Sequence, residues 1–207
     1  MHVPASGEGS LARINLMYVG PLDDDHGAHA LAEAFLNAHA HDPRLHLLVA
    51  GQGPASDRLK MLLGSRATFI SFGGPAVVDE LAAEADLLIC PTTLADTSET
   101  IAAAQRSGLP VLAVDGGAAA ALIENGRSGF LVPGDPATFA DAIRWLSRRS
   151  TLRERLAVGG LVAAETRSRS KPVLNTGHTS ESGLNAGQTS EARPNLRHTS
   201  EARRIMT

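Results

Sequence analysis

The chain has 207 residues, 43% of them hydrophobic and only 3% aromatic, which suits one domain of ordinary size with an aliphatic core. A single cysteine, Cys90, excludes a disulfide framework and a Cys-based structural zinc site. The net charge of −3 hides a division: through Glu165 there are 12 Lys and Arg against 19 Asp and Glu (−7), and from Thr166 there are 7 against 3 (+4). No run of ~18 apolar residues is present to span a membrane. The start of the chain lacks the basic-then-apolar order of a secretory signal, so a cytoplasmic location is expected.

Residues 1–12 read as an N-terminal extension. Ile14 to Val19 is an apolar run closed by Gly20, a buried strand. From Gly27 to His39, Leu31, Ala34, Phe35 and Ala38 share one helical face. Leu45–Ala50 is a second strand ended by Gly51, and Asp57–Leu63 a short helix. Phe69–Phe72 forms a third strand, followed by a helix through Val78, Leu81 and Ala82. Asp86–Cys90 is a fourth strand stopped by Pro91.

A helix then starts at Thr97 or Ser98 and runs to Ser107, with Gly108 and Pro110 as its stop signals. Val111–Val114 is a fifth strand, the alanines 118–121 open another helix, and Gly129–Val132 is a sixth strand. Asp135-Pro136 reads as an N-cap with proline at the first helical position, ahead of a helix through Phe139, Ile143 and Leu146. A last short helix, Thr151–Val158, is expected to stop at Gly159-Gly160. Beyond it, residues 166–207 lose their long aliphatics and repeat every ten residues, at Asn175–Glu181, Asn185–Glu191 and Asn195–Glu201. With about one leucine per repeat such a basic tail buries almost nothing and reads as disordered. It is either a solvated tail or a weak contact for an anionic surface; with no aromatics, no nucleic-acid role is expected.

Six nearly all-apolar strands with helical crossovers predict an α/β fold over 13–165, a doubly wound, Rossmann-like parallel sheet of about six strands. With strand order 3-2-1-4-5-6 the ligand crevice lies between the first and fourth strands, under the loops Gly20–Gly27 and Pro91–Thr100. Several chemistries fail there. No G-x-G-x-x-G follows the first strand, and neither a P-loop nor a G-x-S-x-G elbow occurs. A phosphorelay receiver would need an acceptor Asp after the third strand and a Lys after the fifth, where Ser71, Phe72 and Asp115 stand. Asp23, Asp24 and Asp25 with His26 and His29 either form a metal cluster or are acids placed favourably at a helix N-terminus.

The sequence of Val19-Gly20, a polar loop, Gly27, a helix, and then Leu48–Pro54 with Gly51 and Gly53 resembles the C-terminal, nucleotide-sugar-binding half of GT-B glycosyltransferases, family 4 (group 1) in particular. Further matches follow in order: Phe72-Gly73, Ala85–Thr92, Ser107–Val111 and Glu124–Asp135. The likeness covers residues 14–158. It implies transfer of a sugar from a nucleotide-diphosphate donor, with no metal required, and with the diphosphate on backbone amides at a helix N-terminus. The donor-binding positions it indicates are Gly20, His26, Gly51, Gly53, Gly73, Asp96, Thr97, Ser98, Glu99 and Thr100. The glycines serve equally well as tight turns, and Asp96 and Glu99 as ordinary helix N-terminal acids.

Departures from the family are concentrated in its charged positions. An Arg soon after the first strand and a Lys before the next Gly usually clamp the diphosphate; here Pro21 and His26 hold those places. The family's paired Glu residues fall on Ala95 and Ala103, and a third acid falls near Ala121. Three Asp side chains are expected to face the donor and repel it, with His26 the one substitute cation. No catalytic residue is assigned. Because the acceptor-binding half is not among these residues, two readings stand: a donor-binding half that works with a separate acceptor domain or partner chain, and a non-catalytic remnant that keeps the fold.

Overall fold

The computed structural model describes residues 12–70, 76–94 and 97–170. They all lie in one compact unit that extends to Pro172; the second unit, from Val173, contains the ten-residue repeats and lies outside the described residues. Elements alternate along the chain as β1 (Ile14–Val19), α1 (Ala28–His41), β2 (Leu45–Ala50), α2 (Ser56–Leu63), a 3-10 turn (Gly64–Arg66) and β3 (Ala67–Ile70). There follow α3 (Ala76–Leu81), β4 (Leu87–Cys90), α4 (Thr97–Arg106), β5 (Val111–Val114), α5 (Gly117–Leu122), β6 (Phe130–Val132), α6 (Pro136–Ser147) and α7 (Ser150–Ser170).

All six strands pair in parallel in the order β3-β2-β1-β4-β5-β6, the doubly wound arrangement expected from the strand–helix alternation. β1 sits opposite β2 from Ile14–Leu45 to Val19–Ala50, and opposite β4 at Leu16–Leu87. Period-2 alternation then divides each strand between two cores. Leu16, Leu47, Leu87 and Leu112 face Phe35 of α1 and Ile143 of α6. Met17, Leu48, Leu88 and Val111 face Val78 of α3, Ile101 of α4 and Ala119 of α5. Burial on both faces is why the strands are apolar throughout rather than at alternate positions.

Helix ends follow local chemistry. Asp135 caps α6 by accepting the Thr138 amide at 2.8 Å, with Pro136 in the first turn; these bonds hold its carboxyl below the ordinary range. The last helix corrects an expectation: α7 does not stop at Gly159-Gly160 but continues to Ser170. Leu156, Gly160 and Ala164 are its buried residues, one small or apolar position per turn. Packing of that stripe outweighs the local helix-breaking tendency of two glycines, which costs ~1 kcal/mol each.

His46 on β2 is buried and meets the Thr68 hydroxyl of β3 at 2.9 Å. Burial first, then the Arg13 and His39 charges, push its imidazole below the ordinary value; burial and Arg66 do the same to His39. The unfolded chain protonates these rings near pH 6.5, so below that pH it binds more protons than the folded chain. Their contribution is present above ~6.5 and is lost as pH falls through the folded values. Thermal melts from pH 7.5 to 5 are expected to show a falling Tm, with a shallower fall in His46→Gln. An identical pH profile in the variant would show that His46 carries none of the effect.

Candidate functional site

A cavity of ≈ 250 Å³ opens at the switch between β1 and β4, where the strand order reverses. The β1–α1 loop supplies Gly20, Pro21 and His26; the β4–α4 loop supplies Pro91 and Thr92; the first turn of α4 supplies Thr97, Glu99 and Thr100. Ile89 and Cys90, at the carboxyl end of β4, are also in its wall. The loop is braced from below by Tyr18, a buried residue near the end of β1 whose hydroxyl donates to the Pro21 carbonyl at 2.8 Å. Sequence reasoning did not select Tyr18, although the chain's one tyrosine at the mouth of an aliphatic strand was a usable signal.

Five of the expected donor-binding residues therefore come together: Gly20, His26, Thr97, Glu99 and Thr100. Thr97 is partly engaged already, its hydroxyl donating to the Leu94 carbonyl at 2.7 Å. Ser98 does not line this cavity; it belongs to the wall of a groove on the far side of α4. Gly73 and Asp96 lie outside the described residues.

Gly51 and Gly53 serve close backbone packing, the plainer of their two readings. A Cβ on Gly51 would stand 2.1 Å from the Gly20 carbonyl oxygen, and one on Gly53 would stand 2.3 Å from that of Leu22. The two loops are zipped together there, with the Leu22 amide on the Gln52 carbonyl (2.9 Å) and the Ala55 amide on the Leu22 carbonyl (2.8 Å). These glycines shape the cavity indirectly, by letting the β2–α2 turn support the β1–α1 loop.

The expectation that three aspartates face the donor is also corrected. Asp23 turns back into its own loop and accepts both the His26 amide (2.8 Å) and the His26 ring Nδ1 (2.6 Å). The His26 side chain is the main reason its carboxyl is held below the ordinary range. Asp24 reaches outward to Arg58 on α2 at 3.1 Å, and Asp25 is exposed. None of the three lines the cavity. His29 faces Glu33 at 3.9 Å, so it does not join His26 in a metal cluster. Among the described residues, no three His, Cys, Asp or Glu side chains converge to hold a metal ion.

Glu99 is thus the only carboxylate in the described cavity wall, and no Lys or Arg is present in it. What remains for an anion is the amide end of α4, the Thr100 hydroxyl and the His26 ring.

A family model described as "Glycosyl transferases group 1" matches residues 13–149. The chain belongs to the group 1 glycosyltransferases. A relative from Nocardioides, named D-inositol 3-phosphate glycosyltransferase, is 35% identical over 105 residues, covering 49% of this chain. The alpha-D-kanosaminyltransferase of Streptomyces kanamyceticus is 26% identical over 148 residues, covering 69% of this chain. This chain spans only 23% and 38% of the lengths of those two proteins.

Among solved structures, the group 1 glycosyltransferase fold recurs in the C-terminal domain of Francisella tularensis LpcC. Its TM-score is 0.64 at 20% identity, covering 77% of this chain and 88% of that one. Anabaena HepE, solved with UDP-glucose, superposes with a TM-score of 0.66 at 23% identity, covering 75% of this chain and 44% of that one. The fold is therefore that of half a GT-B enzyme. No helix among the described residues is long and apolar enough to cross a membrane.

Proposed function

We propose that this group 1 glycosyltransferase domain is the donor-binding half of a sugar-transfer enzyme, taking a nucleotide-diphosphate sugar into the β1/β4 cavity. The observation that carries this reading is the coincidence of that cavity with the start of α4 at the point of strand-order reversal, where α/β folds bind ligands. Structural neighbours solved with UDP or UDP-glucose support it. In this reading α4's first amides take the diphosphate, the His26 ring stands beside it, and Glu99 accepts a ribose or sugar hydroxyl. Transfer requires an acceptor-binding half, in the same protein or on a partner chain, to close the site and exclude water. A cytoplasmic location belongs to the same proposal, supported by a single buried cysteine in place of a disulfide framework.

One observation favours a second reading, a binding module that has kept the fold and lost the chemistry: the described cavity wall has no Lys or Arg. Each missing charge-assisted bond weakens anion binding by ~1.5–3 kcal/mol. Calorimetric titration of UDP- and GDP-sugars at low salt separates the two. A donor half binds one of them with a Kd below ~100 μM (about −5.5 kcal/mol), and His26→Ala weakens that binding severalfold. Silence toward every nucleotide sugar would leave only the binding module.

A further inference from the structure

A second concavity lies on the other side of α4. An open groove of ≈ 540 Å³ runs between α4, the end of α5 and the last turns of α7. Its size falls in the range of small-molecule sites. Ala102, Leu122 and Ala164 form an apolar floor, and two arginines, Arg106 of α4 and Arg167 of α7, stand in its wall.

Arg167 is fixed in place. It donates to the Leu122 carbonyl at 3.4 Å and to the side-chain oxygen of Gln105. Gln105 is itself fully buried and anchored, its amide donating to the Leu122 and Ser128 carbonyls, each at 3.2 Å. The Arg106 side chain, by contrast, is exposed and makes no ion pair or hydrogen bond among the described residues. Both arginines line the same groove, and burial, followed by the Arg106 charge, lowers the proton affinity of the Arg167 guanidinium. Glu99 is the one acid in the wall, and no ion pair joins it to either arginine. Two arginines thus stand in one wall with no carboxylate paired to either, a surface that favours an anion.

We propose that this groove is a binding site for a small phosphorylated molecule, its phosphate held between Arg106 and Arg167 and its body lying over Ala102, Leu122 and Ala164. Ser98 and Ser168 add hydroxyls along the same wall. A phosphate monoester fits better than a carboxylate: its near-double charge matches two guanidinium groups, and its three terminal oxygens accept from Arg106 and from the Arg167 N–H groups not spent on Leu122 and Gln105. Glu99 lines this groove and the β1/β4 cavity alike, so the two ligands would lie on either side of the first turn of α4. The site does not depend on the donor reading.

The test is titration of the full chain with inorganic phosphate and with phenyl phosphate, followed by calorimetry at constant ionic strength set with NaCl. Saturable binding of both is expected, tighter for phenyl phosphate. Arg106→Gln is the deciding variant, because the fold makes no use of that side chain; it is expected to weaken both ligands about tenfold or more. His26→Ala, which alters the other cavity, is expected to leave them unchanged. Absence of saturation, or equal binding by Arg106→Gln and the parent, overturns the site. Equal affinity for the two probes overturns the apolar half of it. Failure of nucleotide sugars to bind would sink the donor reading and leave this result standing.

Discussion

Gly159→Ala is expected to melt below the parent protein, although alanine improves almost any exposed helix position. A Cβ at residue 159 would stand 1.9 Å from the carbonyl oxygen of Arg127 and 2.7 Å from its carbonyl carbon. Both are backbone atoms, and their turn is itself tied down by the Arg127 and Ser128 amides on the Glu124 carbonyl (each 3.0 Å) and by the Glu124 amide on the Ser128 hydroxyl (2.9 Å). Relief therefore requires α7 to lift away. Overpacking of this kind costs ~1–3 kcal/mol beyond the ~1 kcal/mol that the better helix former returns. At ~2–4 °C per kcal/mol for a chain of this size, the Tm falls by several degrees. Gly160→Ala is the control: its Cβ would meet the flexible Gln105 side chain at 3.2 Å, so the helix gain and the contact nearly cancel. Differential scanning of the two variants decides the matter; Gly159→Ala melting at or above the parent would mean that α7 does not cross the Arg127 turn this closely.

The same crossing explains what could be read in advance and what could not. Strand order, the position of the crevice and the Asp135 cap each rest on signals confined to a few residues or to the regular alternation of elements, and all were legible. Gly159-Gly160 looks like a helix stop because the local signal is real; what overrides it is Gln105 and Ser128, distant in sequence, against which Gly160 packs. Asp23 to Asp25 read as a block of charge facing a ligand because composition says nothing about direction. In the folded loop the first pairs with His26, the second reaches Arg58 and the third is exposed. Gly51 and Gly53 carried two readings that only the Gly20 and Leu22 carbonyls could separate. The arginine groove was invisible for a simpler reason. Arg106 and Arg167 are joined only by the packing of α4 on α7, and Arg167 falls in the stretch whose composition reads as tail.

Returning the missing cations is expected to change donor affinity more than any other substitution in the cavity. Pro21 and His26 occupy the places where the resembled family carries its Arg and Lys, and both line the cavity wall. The loop can accept the exchange. Tyr18 bonds to the backbone carbonyl of residue 21, which any residue retains, and a lysine at 26 keeps an opposite charge beside Asp23. Each restored charge-assisted bond to a diphosphate contributes ~1.5–3 kcal/mol, which at ~1.4 kcal/mol per decade is about tenfold to a hundredfold. Pro21→Arg with His26→Lys is therefore expected to bind UDP- or GDP-sugars at least a hundredfold more tightly than the parent in calorimetry. The gain should shrink as NaCl is raised, since part of it is Coulombic. The double variant also divides the two functional readings without an acceptor domain. A silent parent with a binding variant describes a donor fold whose cationic grip was lost. A variant as silent as its parent would show that the diphosphate has no place between Gly20 and the first turn of α4.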